Sequence, residues 1–141
     1  MRAILQRVTS AAVTAHGDVL GQIHEPGLVV LLGVTHADGP SQVAWMVRKI
    51  RDTRIMRDEV SVADLGAPVL IVSQFTLYGD ARKGRRPTWQ AAAPGEVSEP
   101  IYDAVCEGLR AAGTHVETGV FGAEMSVALV NDGPFTVLLE Q

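Results

Sequence analysis

Two strand-length blocks of almost unbroken apolar sequence, Leu28 to Val34 and Val69 to Val72, limit what this chain can become. A strand that alternates apolar and polar residues can face water on one side, whereas a run that is apolar at every position has to be buried. Neither block approaches the roughly 18 residues that a membrane-spanning helix needs, so both read as strands inside a folded core. The rest of the chain has to cover them.

Two amphipathic stretches can do so. Behind the turn signals of Ala37 to Ser41, residues Val43, Met46, Val47 and Ile50 recur at helical spacing. This predicts a helix from Pro40 to about Asp52, capped by Asp38 or Ser41. Arg48, Arg51 and Arg54 fall three apart, on neighbouring turns of one side. Ser98-Glu99-Pro100 predicts the opening of a second helix that Gly113 closes, with Ile101, Tyr102, Val105, Cys106 and Leu109 as its apolar face.

The flanks read as strands. Arg2 to Thr14 and Val19 to Ile23 form a hairpin across His16-Gly17-Asp18. At the other end, His115 to Phe121 and Met125 to Val130 are followed by a turn at Asn131-Asp132-Gly133-Pro134 and a last strand from Phe135 to Leu139. Met56 to Asp64 is polar and irregular. Strands first and last with two main helices between predict an α+β fold, compact, with a mostly antiparallel sheet rather than a βαβ repeat. A length of 141 residues with 47% hydrophobic content predicts one domain, residues 1–141. A chain this small exposes much of its apolar surface, so association with a second copy is expected.

The single cysteine excludes an internal disulfide and fits a reducing, cytoplasmic setting. Gln6 and Arg7 interrupt the apolar start too early for a secretory signal. The net charge of -4 argues against a globally basic nucleic-acid binder. Residues 48–86 nevertheless hold nine of the twelve Lys and Arg against five acids, a local excess of four positive charges on an acidic body. That is the footprint of a protein touching phosphate locally, and equally of a surface kept soluble by its arginines.

The stretch Ser73 to Pro87, SQFTLYGDARKGRRP, joins these two themes. A buried strand delivers Ser73, Gln74, Phe75 and Thr76, and the long loop behind them carries Arg82, Lys83, Arg85 and Arg86. Hydroxyls at a strand end serve more often as turn formers than as nucleophiles, and an esterase using Ser73 or Thr76 is the reading the second role would give. Other chemistry has little footing. The four histidines lack metal-ligand spacing, so no metal and no cofactor is expected. Phosphate-binding glycine motifs and the GxSxG nucleophile elbow are missing, and Cys106 sits on an apolar helix face as an inert thiol.

SQFTLYGD at 73–80, RKGRRP at 82–87, ETGVFGAEM at 117–125, NDGPFT at 131–136 and the opening MRAILQRV closely resemble the D-aminoacyl-tRNA deacylase family over essentially the whole chain. The resemblance implies a barrel-like α+β homodimer that hydrolyses D-aminoacyl-tRNA and clears glycine from mischarged tRNA-Ala. It implies no membrane and no DNA partner. Ser73, Gln74, Phe75 and Thr76 then line the pocket for the terminal adenosine and aminoacyl ester. Backbone donors near Phe75 and Thr76 serve catalysis, assisted by the tRNA 2′-hydroxyl. Gly133 and Pro134, joined by a cis bond, reach into the partner's pocket to reject L side chains, with Asn131 and Thr136 beside them as substrate contacts. Arg82, Lys83, Arg85 and Arg86 fall to tRNA binding. The alternative reading is a non-catalytic tRNA-binding module. The segment Arg57 to Asp64 is shorter than in many relatives.

Overall fold

A computed structural model describes all 141 residues. Strand β1 (Arg2–Ala15) is the axis of the sheet. Along one edge it pairs antiparallel with β3 (Gly27–Gly33) and then with β2 (Asp18–Ile23). Along the other edge it pairs antiparallel with β6 (Ser126–Glu140) over nearly its full length. The hairpin between β1 and β2 closes through His16 and Gly17, whose φ angles of 52° and 91° match the two-residue turn that suits twisted strands.

β4 (Val69–Ser73) and β5 (Val116–Thr118) extend the sheet beyond β3, and both pairings are parallel. Parallel neighbours require crossovers. Helix α1 (Pro40–Asp52) with the single-turn α2 (Val62–Leu65) provides the first, and α3 (Gly95–Ala111) the second. The sheet is thus mostly antiparallel by pairings, but its β3-β4-β5 end is built of βαβ crossovers, which the reading of strand and helix order did not expect. Far round the curve, β5 meets β2, where Gly21 lies against the Thr118 backbone, and the sheet nearly closes into a barrel.

The apolar runs are buried on both faces. Leu28, Val30 and Leu32 of β3, with Val69 and Ile71 of β4, pack under α1 and α3 against Met46, Ile50, Val105 and Leu109. Val29, Leu70 and Val72 point the other way, into a smaller cluster with Val8, Val13 and Ile23.

Three local expectations change. Helix α1 takes Gly39 as its N-cap, because Asp38 is occupied elsewhere, accepting from the Met1 amino group at 2.6 Å and the Thr35 N–H at 2.8 Å. Helix α3 begins at Gly95 rather than Ser98, whose hydroxyl donates back to the Pro94 carbonyl at 3.0 Å from inside the helix. Residues Asn131 to Pro134 make no chain reversal. They are a bulge within the single long strand β6, bounded by register shifts opposite Gln6 and Val8. Within the polar segment before β4, a 3₁₀ turn spans Arg57–Glu59.

Candidate functional site

β4 ends at Ser73, and the chain turns into a short 3₁₀ helix, Phe75–Tyr78. The turn packs on Gly33, where an added Cβ would lie 3.0 Å from the Gln74 carbonyl oxygen and 3.1 Å from Leu77 Cβ. Only a residue without a side chain admits so close an approach. At the far end of the turn, Arg2 donates to the Leu77 carbonyl at 2.9 Å and lies 4.6 Å from the Tyr78 ring centroid.

The first N–H groups of any helical turn have no partner inside it. Here the Gln74 N–H donates to Leu32 and those of Leu77 and Gly79 donate within the turn, whereas the Phe75 and Thr76 N–H groups find no acceptor in the chain. Both residues are exposed. Two adjacent donors are therefore left free, and the first of them belongs to a residue lining a cavity of about 410 Å³, Phe75, together with Ser73, Gln74, Trp89, Ser98, Tyr102 and Phe121, among others; Thr76 follows just outside that lining. Its walls are aromatic: Phe75 meets Trp89 edge-on with centroids 5.4 Å apart, and Tyr102 lies 5.8 Å from Phe121. Tyr102 donates its hydroxyl to the Ile71 carbonyl at 2.9 Å, and burial holds its pKa far above the ordinary phenol value. A largely apolar cavity walled by aromatic rings suits a planar ring.

The Thr76 hydroxyl has one partner, the Gln74 side-chain amide, which donates to it. An amide is no base, and none of the four histidines lines the cavity. Cys106 is buried behind Tyr102, and burial pushes its thiol up to about 11. The site therefore lacks an activated side-chain nucleophile, and what it offers chemically is a pair of backbone donors.

The basic loop stands apart as a finger. Asp80 and Thr88 close its base with reciprocal backbone hydrogen bonds of 2.9 and 3.0 Å, and every residue from Ala81 to Gln90 is exposed. Arg82 is not free: it donates to both carboxylate oxygens of Asp80, at 2.9 and 2.7 Å. That pairing pulls the Asp80 pKa down to about 2. Lys83, Arg85 and Arg86 make no ion pair.

Gly133 and Pro134 lie on a different part of the surface. No hydrogen bond and no shared cavity joins them to Ser73–Thr76 within the chain. Val8 pairs with Asn131 and Gln6 with Thr136, so Asp132 to Phe135 stand opposite Arg7 alone. Arg7 is buried; its Nε donates to the Asp132 carbonyl at 3.0 Å and lies 3.1 Å from that residue's carboxylate. The Phe135 ring covers its guanidinium at 4.2 Å. From β1, Gln6 donates to the Asn131 side chain and to the Phe135 carbonyl, and accepts from the Thr136 hydroxyl at 2.8 Å. Gly133 and Pro134 themselves are exposed, and the bond between them is cis. Sequence reasoning missed Gln6, Arg7 and Asp132 as the bulge's supports, and Trp89, Tyr102 and Phe121 as cavity walls. Tyr102 gave a signal, being the one aromatic hydroxyl on an otherwise apolar helix face.

Comparison with known proteins agrees with this architecture. A family model described as D-Tyr-tRNA(Tyr) deacylase matches residues 4–140. Curated D-aminoacyl-tRNA deacylases from Thermobifida fusca and Kineococcus radiotolerans are 66% and 63% identical, each over 99% of both chains. A solved structure described as the c-Myc DNA unwinding element binding protein superposes with a TM-score of 0.93 at 40% identity, covering 100% of this chain and 99% of that one. A probable eukaryotic D-amino acid tRNA deacylase shares the fold, with a TM-score of 0.87 at 18% identity over 98% and 97% of the two chains. With the match running through both the strand-end turn and the β6 bulge, the chain belongs to the D-Tyr-tRNA(Tyr) deacylase family, whose curated members are hydrolases named D-aminoacyl-tRNA deacylases.

Proposed function

We propose that this protein hydrolyses the ester between a D-amino acid and the 3′ end of tRNA, and leaves the L ester intact. The observation that carries the reading is the pair of unpartnered N–H groups of Phe75, which lines an aromatic cavity without histidine or carboxylate, and of Thr76 next to it in the chain. The terminal adenine enters the cavity and the ester carbonyl rests on the two donors. Water adds to the carbonyl carbon, the donors hold the negative charge that develops on oxygen, and the 3′-oxygen of the ribose departs with a proton. The neighbouring 2′-hydroxyl of the substrate assists the attacking water, which removes any need for a nucleophile from the protein.

Chirality is read by the backbone of Gly133 and Pro134 from a second subunit, flanked by Asn131 and Thr136. Two features support this arrangement. The dipeptide is exposed and does not line the pocket of its own chain, and it sits on β6, whose outer edge has no strand partner and whose Leu129, Val130, Phe135 and Leu138 are exposed. A backbone wall admits hydrogen or a D side chain and clashes with the L isomer whatever that side chain is. Glycine on tRNA-Ala passes by the same criterion. No helix is long and apolar enough to cross a membrane.

The test is purified protein with D-Tyr-tRNA and L-Tyr-tRNA. Loss of the D ester alone is expected. Binding without release points to a silent RNA-binding module, and turnover of simple D-amino acid esters lacking a 2′-hydroxyl points to an ordinary esterase. Thr76→Ala retains most of the activity; an acyl-enzyme trapped on Thr76 would overturn the mechanism.

The basic finger provides a second expectation. Phosphate contacts position without discriminating, and each one lost lowers the salt slope of binding by about one. Because Asp80 already holds Arg82, removing Arg85 or Arg86 flattens the dependence of tRNA affinity on salt more than Arg82→Ala does. Filter binding between low and moderate salt measures it, and an equal effect from Arg82→Ala would show that the Asp80 pair opens on binding.

A further inference from the structure

The β6 bulge has a support on its solvent side that the reaction as described does not use. The 3₁₀ turn Arg57–Glu59 places two successive non-glycine residues in the left-handed region, Asp58 at φ 62° and Glu59 at φ 56°. Such conformations persist only where surrounding contacts impose them. One contact closes the loop on itself, Met56 N–H to the Val60 carbonyl at 3.1 Å. The other leaves the loop: Arg57 donates through Nη2 to Oδ1 of Asp132, the residue preceding Gly133. Asp132 is buried, and its second carboxylate oxygen faces Arg7. The main chain around Asp132 is thus gripped by Arg7 from beneath and by Arg57 from outside. Between loop and bulge lies an open groove of about 530 Å³, bounded in part by Arg7, Arg54, Arg57 and Phe135, so no packing replaces the link if it is cut.

We propose that Arg57 is a positioning residue for stereochemical discrimination. It acts through Asp132, fixing the stretch of backbone that meets the substrate's α-carbon. This rests on the reading that Gly133 and Pro134 exclude L side chains. Arg57 itself touches no substrate, so its loss loosens the wall without removing the oxyanion donors, and the L ester gains more than the D ester loses. The Arg57 side chain is 71% exposed, so the link is also sensitive to ionic screening.

The experiment compares kcat/KM for D-Tyr-tRNA and L-Tyr-tRNA in the full protein and in Arg57→Ala, Arg57→Lys and Gly133→Ala. Both esters ride on one tRNA, so phosphate contacts cancel in the ratio. Arg57→Ala is expected to lower the D/L ratio about fivefold, in line with a partly exposed ion pair, and Arg57→Lys to restore part of it. The wild-type ratio should fall as salt rises, and that of Arg57→Ala should stay flat, a dependence a merely structural arginine does not produce. An unchanged ratio in Arg57→Ala, with Gly133→Ala inactive, overturns the role of Arg57 alone. Wild-type turnover and ratio in Gly133→Ala overturn the reading beneath it as well.

Discussion

Gly133→Ala will fold with a melting temperature within about 2 °C of the parent and lose D-aminoacyl-tRNA hydrolysis by at least about 100-fold. The fold has no objection to the methyl group. Gly133 does not occupy the left-handed region, and an added Cβ comes no nearer than 3.1 Å to anything beyond its chain neighbours. That nearest atom is Asn131 Nδ2, the end of an exposed side chain that can move aside. On the proposed reading, what the methyl group obstructs is a substrate pressed against the backbone. Thermal melting and single-turnover deacylation, measured side by side, separate the two effects. A variant that stays stable and active means that Gly133 faces solvent throughout the reaction.

The second large effect concerns the donors. Proline is accommodated at the first position of a helical turn, and the residue before it prefers extended geometry. Gln74, at φ −144° and ψ 76°, lies outside the helical region, and the Phe75 N–H has no acceptor in the chain to lose. Phe75→Pro therefore removes one donor with little damage to the turn, and Phe75→Ala removes the ring and keeps the donor. The alanine variant is expected to lose a few-fold in kcat, the proline variant about 100- to 1,000-fold, the effect of deleting one oxyanion donor. Equal losses from the two would assign the effect to the ring.

The two dead variants also report on each other. If Gly133 of one subunit serves the pocket of another, mixing Gly133→Ala with Phe75→Pro and allowing subunits to exchange recovers about a quarter of wild-type activity, because half of the two-fold dimers are mixed and each contains one intact site. No recovery, with exchange verified, means that each chain works alone.

Much of the frame was legible in the sequence because it depends on local pattern. The runs in β3 and β4, the helical spacing of Val43 to Ile50 and the His16-Gly17 turn each carry their structure within a few residues. What sequence reading missed depends on distant partners. Asn131-Asp132-Gly133-Pro134 has the composition of a turn, yet Arg7 and Gln6 from β1 hold it as a bulge across more than 120 residues of sequence. Asp38 looked like a helix cap and instead binds the amino terminus. The parallel pairing of β4 with β5 was hidden because β5 is only three residues long. For the candidate site, the polar residues at the strand end stood out by contrast with the apolar run before them. The free N–H groups leave no mark in the residues themselves, and only the resemblance to the family pointed to backbone donors near Phe75 and Thr76.

The clasp between Asp80 and Thr88 has a consequence for stability as well as for binding. It isolates the tip of the finger from the folding of everything behind it, so that exchanges among residues 81–87 cost the core almost nothing. On the proposed reading, the residues that meet tRNA can therefore be altered one at a time without disturbing the part that distinguishes one hand of an amino acid from the other.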